Sequence, residues 1–138
     1  MGIKQISVFL ENTTGRLCEV TQTLAKAGIN LRAISIADTA DFGILRLIVD
    51  KTDEAVNALT AAGFTTRQTD VAAVEIDDKP GSLAALMEIF QKSGINIEYL
   101  YASLEGSQGK AVVIFKLEDH DKGFNILAKS GLVMAEKF

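Results

Sequence analysis

The chain has 138 residues, 48 % of them hydrophobic and 23 % charged, with a net charge of −4. That balance is ordinary for a globular protein, and its acidic sign supplies no basic field for nucleic acid or an anionic membrane. No apolar run approaches the ~20 residues of a membrane span, the N-terminus lacks a signal-peptide layout, and a lone cysteine, Cys18, excludes an internal disulfide; a cytoplasmic protein is expected.

In chain order, Gln5 to Leu10 alternates with Ile6, Val8 and Leu10 on one face, which predicts a strand. Asn12 to Gly15 is turn chemistry. From Arg16 to Ala27 the apolar residues Leu17, Val20, Leu24 and Ala27 recur at steps of three and four, predicting an amphipathic helix that Gly28 ends. Ile29 to Ala37 is a second strand, Asp38 to Gly43 a turn and Ile44 to Asp50 a third strand. Thr52 is placed to cap a helix over Asp53 to Ala62, with acid in its first turn, and Gly63 stops it. Phe64 to Gln68 is a fourth short strand, completing βαββαβ.

The second half repeats the order. Val71 to Ile76 is a strand and Ser82 to Ser93 a helix with Leu83, Leu86 and Phe90 inward. Pro80 stands just ahead of that helix, where a missing N–H costs nothing. Ile95 to Leu104 and Lys110 to Leu117 form a hairpin around Glu105 to Gly109. Asp121 to Ser130 is the last helix, stopped by Gly131, and Leu132 to Lys137 the last strand. Gly15 pairs with Gly81, Leu17 with Leu83, Gly28 with Gly94, Ile29 with Ile95 and Asn30 with Asn96, each pair 66 positions apart. Between Gly63 and Gly131 the offset is 68, which places two extra residues after Gly109. A repeat of this length is the size of a small domain. The prediction is an α+β fold of two ferredoxin-like βαββαβ repeats, residues 1–69 and 70–138, each an antiparallel sheet with helices on one face.

The free face of each sheet should alternate with polar residues, yet Phe9, Ile48, Tyr99, Tyr101, Val112 and Ile114 fall there. Those faces are therefore expected to be covered by the other repeat or by another subunit. In the plait order 4-1-3-2, joining the two sheets through their second strands would part residues 68 and 71 by roughly 29 Å, six strand spacings of ~4.8 Å. At ~3.5 Å per residue that gap needs about eight residues. Two are available, so edge pairing is expected between chains rather than within one.

The two turn-helix-turn phrases, Asn12-Thr13-Thr14-Gly15-Arg16-Leu17 with Gly28-Ile29-Asn30 and Asp78-Lys79-Pro80-Gly81-Ser82-Leu83 with Gly94-Ile95-Asn96, resemble the ACT domain, a regulatory module that binds amino acids. The likeness covers essentially the whole chain as a tandem pair. In such domains the effector lies where the first turn meets the second, edge strand of a neighbouring domain. The resemblance thus implies a binding site at Asn12, Thr13, Thr14, Gly15, Arg16, Leu17, Ile29 and Asn30. It implies a second at Asp78, Lys79, Pro80, Gly81, Ser82, Ile95 and Asn96. The physics suits an amino acid, because a helix N-terminus attracts a carboxylate and an asparagine amide both donates and accepts.

Serine-binding members carry asparagines at the positions of Asn12 and Asn30, with a histidine two residues before the first, where this chain has Leu10 and Ile76. Asp78 in place of asparagine suits an ammonium better than a carboxylate. A structural reading of the same residues stays open: Asn12 and Asp78 could cap helices, and Gly28-Ile29-Asn30 could be a helix stop.

Nothing assembles an active site or a metal set. Cys18 reads as a small buried hydrophobe and His120, beside Asp119 and Asp121, as a solvated helix start. No cofactor is expected. The chain is expected to be a non-catalytic, homodimeric sensor with an amino-acid effector and a partner enzyme of amino-acid metabolism. The alternative is an interaction subunit of such an enzyme without ligand binding, which Thr14 in place of proline and the missing histidine favour.

Overall fold

The computed structural model describes residues 2–38, 41–104 and 108–135. They form two compact units, Lys4–Thr69 and residues 70–135 together with residues 2 and 3. The first contains β1 (Ile3–Glu11), α1 (Arg16–Lys26), β2 (Leu31–Asp38), β3 (Phe42–Val49), α2 (Thr52–Ala61) and the start of β4 (Thr65–Asp77). The second contains the rest of β4, then α3 (Ser82–Lys92), β5 (Ile97–Ala102), β6 (Lys110–Leu117), α4 (His120–Lys129) and β7 (Val133–Met134).

In the first unit β1 and β2 both pair antiparallel with β3, and β4 lies on the other side of β1. In the second, β5 pairs with β6, β6 with β4, and β7 with the opposite edge of β4, again all antiparallel. Each unit is thus α+β in the plait order 2-3-1-4. Among the described residues β2 pairs only with β3 and β5 only with β6, so each is the edge strand of its unit.

The predicted periodicities place the cores. Ile6, Val8 and Leu10 of β1 pack with Val20 and Leu24 of α1, Leu45 and Leu47 of β3 and Leu59 of α2. In the second unit Val74, Leu86, Phe90, Phe115, Leu117 and Leu127 do the same, with the Phe90 and Phe115 rings 5.3 Å apart and tilted by 57°. On the other sheet face Ile48, Tyr101 and Ile114 are buried as well, whereas Phe9 is 43 % exposed. Gln5 and Ser7 are buried in Phe9's row, Gln5 Nε2 donating to Ser7 Oγ at 3.3 Å.

Several predictions from the sequence need correction. The strands predicted at 64–68 and 71–76 are one strand, because nothing between Gln68 and Val71 forces a turn. Leu17 and Leu83 are 41 % and 40 % exposed rather than inward, and Ala27 is exposed too. Each leucine lies a turn before the first buried residue of its helix, Val20 in α1 and Leu86 in α3. Thr52 is the first residue of α2 and Lys51 its cap, without a side-chain hydrogen bond. In α4, by contrast, the Asp119 carboxylate caps the helix by accepting from the Lys122 N–H at 3.2 Å.

The two extra residues precede Gly109 instead of following it. Glu11 faces Phe42 and Asp77 faces Lys110 in the same register, so the offset is already 68 at the start of β6. The turns predicted at 38–43 and 105–109 and the end of the last strand fall partly outside the described residues.

Gly28 and Gly94 close α1 and α3 identically. With φ of 73° and 67° they let the Ile29 N–H reach Leu24 O at 3.0 Å and the Ile95 N–H reach Phe90 O at 3.0 Å. These are Schellman closures whose flanking pairs, Leu24 with Ile29 and Phe90 with Ile95, are core residues. A Cβ on either glycine would meet no atom within 4 Å, so only backbone conformation selects glycine there. Gly28→Ala and Gly94→Ala should each lower the unfolding free energy in urea by about 1 kcal/mol, additively. No loss in either would contradict this account of the helix ends.

Candidate functional site

The strand-to-helix turns of the two repeats have one geometry. Gly15 (φ 92°, ψ −14°) and Gly81 (φ 90°, ψ −14°) are the N-caps of α1 and α3. The Arg16 N–H donates to Thr13 O at 3.4 Å and the Ser82 N–H to Lys79 O at 3.3 Å. A four-residue turn with a left-handed third residue is type II, which explains glycine there and favours Pro80 ahead of Gly81. Each turn is pinned to the neighbouring hairpin: the Asn12 N–H donates to Asp41 O and the Asp78 N–H to Gly109 O, both at 2.9 Å.

The N-cap position left open for Asn12 and Asp78 is taken by glycine. The caps are glycines, neither helix has a side-chain cap bond, and Asn12 and Asp78 stand three residues earlier. The first intrahelical bonds run from Glu19 N–H to Gly15 O and from Ala85 N–H to Gly81 O. The preceding N–H groups in the first turn, those of Leu17 and Cys18 in α1, have no intrahelical acceptor.

In the first repeat the turn borders a cavity of about 230 Å³. Its polar wall is Glu11, Asn12, Thr13 and Arg16; its apolar wall is Leu10, Leu17, Ile36 and Gly43. The half-exposed Leu17 thus lines a cavity. Arg16 is the charged element. Its guanidinium bonds Glu19 at 2.7 Å and lies 4.7 Å from the centre of the Phe64 ring, while its Nε is buried with no hydrogen-bond acceptor. An unpaired buried N–H on a cation suits an incoming carboxylate oxygen.

The predicted residues divide. Asn12, Thr13, Arg16 and Leu17 come together around that cavity. Thr14 and Gly15 shape the turn. Ile29 and Ile95 turn into the cores. Asn30 lies beyond the far end of α1, an 11-residue helix roughly 16 Å long at ~1.5 Å per residue. There its N–H donates to the Asp50 carboxylate at 3.0 Å, and Asn96 in turn accepts from the Glu118 N–H at 3.0 Å. Ile36 and Gly43 were missed by sequence reasoning because strand alternation does not say which residues reach a neighbouring turn. Cys18 is exposed, contrary to the expectation of a buried hydrophobe.

In the second repeat Lys79, Pro80, Gly81 and Ser82 border a larger cavity, about 540 Å³, which neither Asp78 nor Asn96 lines. At its edge Lys110 donates to the Asp77 carboxylate, with Lys79 3.8 Å from the other oxygen. Among the described residues no group of three or more His, Cys, Asp or Glu could hold a metal ion, and no helix is long and apolar enough to cross a membrane.

Two βαββαβ units of the same strand order, each led into its first helix by a left-handed glycine, define a tandem ferredoxin-like protein written from one module. The chain matches the ACT domain pair family over residues 1–137 and belongs to it. A crystal structure of a Bacteroides thetaiotaomicron protein is similar at 40 % identity and TM-score 0.92, over 98 % of this chain and 92 % of that one. The ligand-free regulatory subunit of aspartate kinase from Thermus thermophilus shares the fold at 22 % identity and TM-score 0.69, over 94 % and 93 % of the two chains. The regulatory subunit from Thermus flavus does so at 22 % and 0.62, over 93 % and 92 %. No curated protein sequence matches.

The hydrogen bond from Lys110, then its charge, hold the Asp77 carboxyl below its ordinary 3.8, and the same hydrogen bond, then the Asp77 charge, lift Lys110 above its ordinary 10.5. The pair is therefore charged throughout the range between, and its contribution is lost as pH falls through the lowered Asp77 value or rises through the raised Lys110 value. In Lys110→Met the Asp77 midpoint, followed by carboxyl NMR shifts, should move up toward 3.8. An unmoved midpoint would show that the pair does not form in solution.

Proposed function

We propose that the chain is a non-catalytic regulatory protein of the cytoplasm that binds a free amino acid through its ACT domains, residues 1–69 and 70–138, and acts as a homodimer. The observation that carries this reading is the first-repeat cavity lined by Arg16, whose buried Nε has no hydrogen-bond acceptor. The ligand carboxylate would take that N–H, the Asn12 amide would meet its polar atoms, and Leu17 and Ile36 would contact its carbon chain.

Asn30 supports the dimer. Within one chain it stands at the opposite end of α1 from Asn12, too far to share a ligand. Strand β2 starts beside Asn30, ends near the first turn and, among the described residues, pairs along one edge only. Antiparallel pairing of β2 with β2 of a second copy would bring Asn30 of one chain toward Asn12 of the other. Ligand bridging the two copies would then shift their packing by its differential affinity, and a partner enzyme of amino-acid metabolism would read the change.

A thermal-shift screen against the twenty amino acids tests this. At 100 times its Kd the selected ligand should add about 2.7 kcal/mol of stability. Asn12→Ala and Arg16→Gln should each weaken its binding by at least about tenfold. A folded protein that none of the twenty stabilises would instead favour an interaction subunit without a ligand of its own.

A further inference from the structure

Arg16 borders two cavities of the first repeat. The turn cavity of about 230 Å³ and a second of about 250 Å³, beside the α2–β4 turn, share Leu10, Glu11 and Arg16 as walls. The second is an aromatic groove. Phe9 and Phe42 border it with 43 % and 62 % exposure, and Phe64, only 6 % exposed, lies under the Arg16 guanidinium. In the second repeat every residue of this groove has its counterpart on one cavity of about 540 Å³, with Ser82 for Arg16 and Leu132 for Phe64. That cavity also reaches the turn, at Lys79 to Gly81, and Ala85, which stands where the first repeat has Glu19. Both members of the Arg16–Glu19 pair are thus replaced by short side chains, and the second repeat has one space where the first has two.

The arginine that divides the first repeat is held lightly. Its pair with Glu19 joins side chains 30 % and 56 % exposed, and such surface ion pairs are weak. The ring contact with Phe64 is a single cation–π contact of a partly exposed cation. In this position the Nε N–H is buried without an acceptor, a cost that rotation toward an acceptor removes. A charge-assisted hydrogen bond to an anion is stronger than a neutral one. Weak retention, an unsatisfied donor and space on both sides give the side chain two arrangements, and a bound anion favours one of them.

We propose that Arg16 is a movable partition: stacked on Phe64 it separates the aromatic groove from the turn cavity, and drawn to an anion at the turn it joins the two and uncovers the Phe64 ring. Occupancy at the turn is thereby felt at the α2–β4 turn, within one repeat and without a second copy. The partition rests on the effector reading for the identity of the anion that drives it, while the movement belongs to Arg16 itself.

The test is NMR of the full chain, with sodium acetate as the anion, sodium chloride as the ionic control and benzyl alcohol as an aryl probe of the groove. The Arg16 Nε–H signal should carry an upfield ring-current shift that Phe64→Leu, the second repeat's residue, removes. Acetate, unlike chloride, should release that shift and tighten benzyl alcohol at the Phe64 ring signals by at least about threefold. Arg16→Ser should bind benzyl alcohol at least about threefold more tightly than the wild type, with no further effect of acetate. Glu19→Ala, which loosens the partition, should lower the acetate midpoint. The proposal is overturned if acetate leaves the Arg16 signal in place, if it moves that signal without changing probe binding, or if folded Arg16→Ser binds the probe as the wild type does. A stabilising amino acid with Arg16 still ring-shifted would leave the effector reading standing and the partition fallen. Acetate-driven movement with no stabilising amino acid would do the reverse.

Discussion

A strand that must become a helix within four residues, its last N–H tied to the next hairpin, has few backbone solutions. This chain uses the same one twice, a type II turn whose third residue sits near φ +90°. Glycine meets that requirement, and a glycine N-cap has no side chain with which to satisfy the helix start. The N–H groups of the first helical turn are thus left to whatever enters the space beside them. Space is available, because a Cβ on Gly15 or Gly81 would meet nothing within 4 Å. The constraint that makes the fold turn is the one that leaves this space open.

Around two equal turns the repeats have diverged in what they hold. The first gives its cavity an arginine that is stacked, ion-paired and still one hydrogen bond short. The second has serine there, and its charge stands across the sheet as the Asp77–Lys110 pair. The difference is carried by side chains on matched backbone, since β1–β3 and β4–β6 keep the same register at the turn. At positions 16 and 82, 42 and 110, 64 and 132 the matched backbone carries different side chains, so the two grooves differ in their lining.

Much of this was legible in the residues. The 66-residue offset, the alternation of Ile6, Val8 and Leu10, and the glycines at 28 and 94 located both modules, their cores and their helix ends. What was hidden depended on neighbours in space. Gln68-Thr69-Asp70 looks like a linker because it is polar, yet it contains neither glycine nor proline, and the strand runs through it. Leu17 fits a helical stripe, but periodicity does not report that α1 begins a turn before its first buried residue. Asn12 and Asn30 look like one clamp on paper and lie at opposite ends of α1 in the fold. Arg16 was picked out as part of a motif; its stacking on Phe64, 48 positions later, needed coordinates.

The central claim is that the first-repeat turn is a carboxylate-binding half-site. It is tested most directly by a crystal structure grown with the amino acid that most stabilises the protein. The account predicts ligand density beside Asn12 with a carboxylate oxygen on Arg16 Nε, and Asn30 of a second copy closing the other side. Density only at places away from this turn, with Arg16 still paired to Glu19 alone, would contradict it.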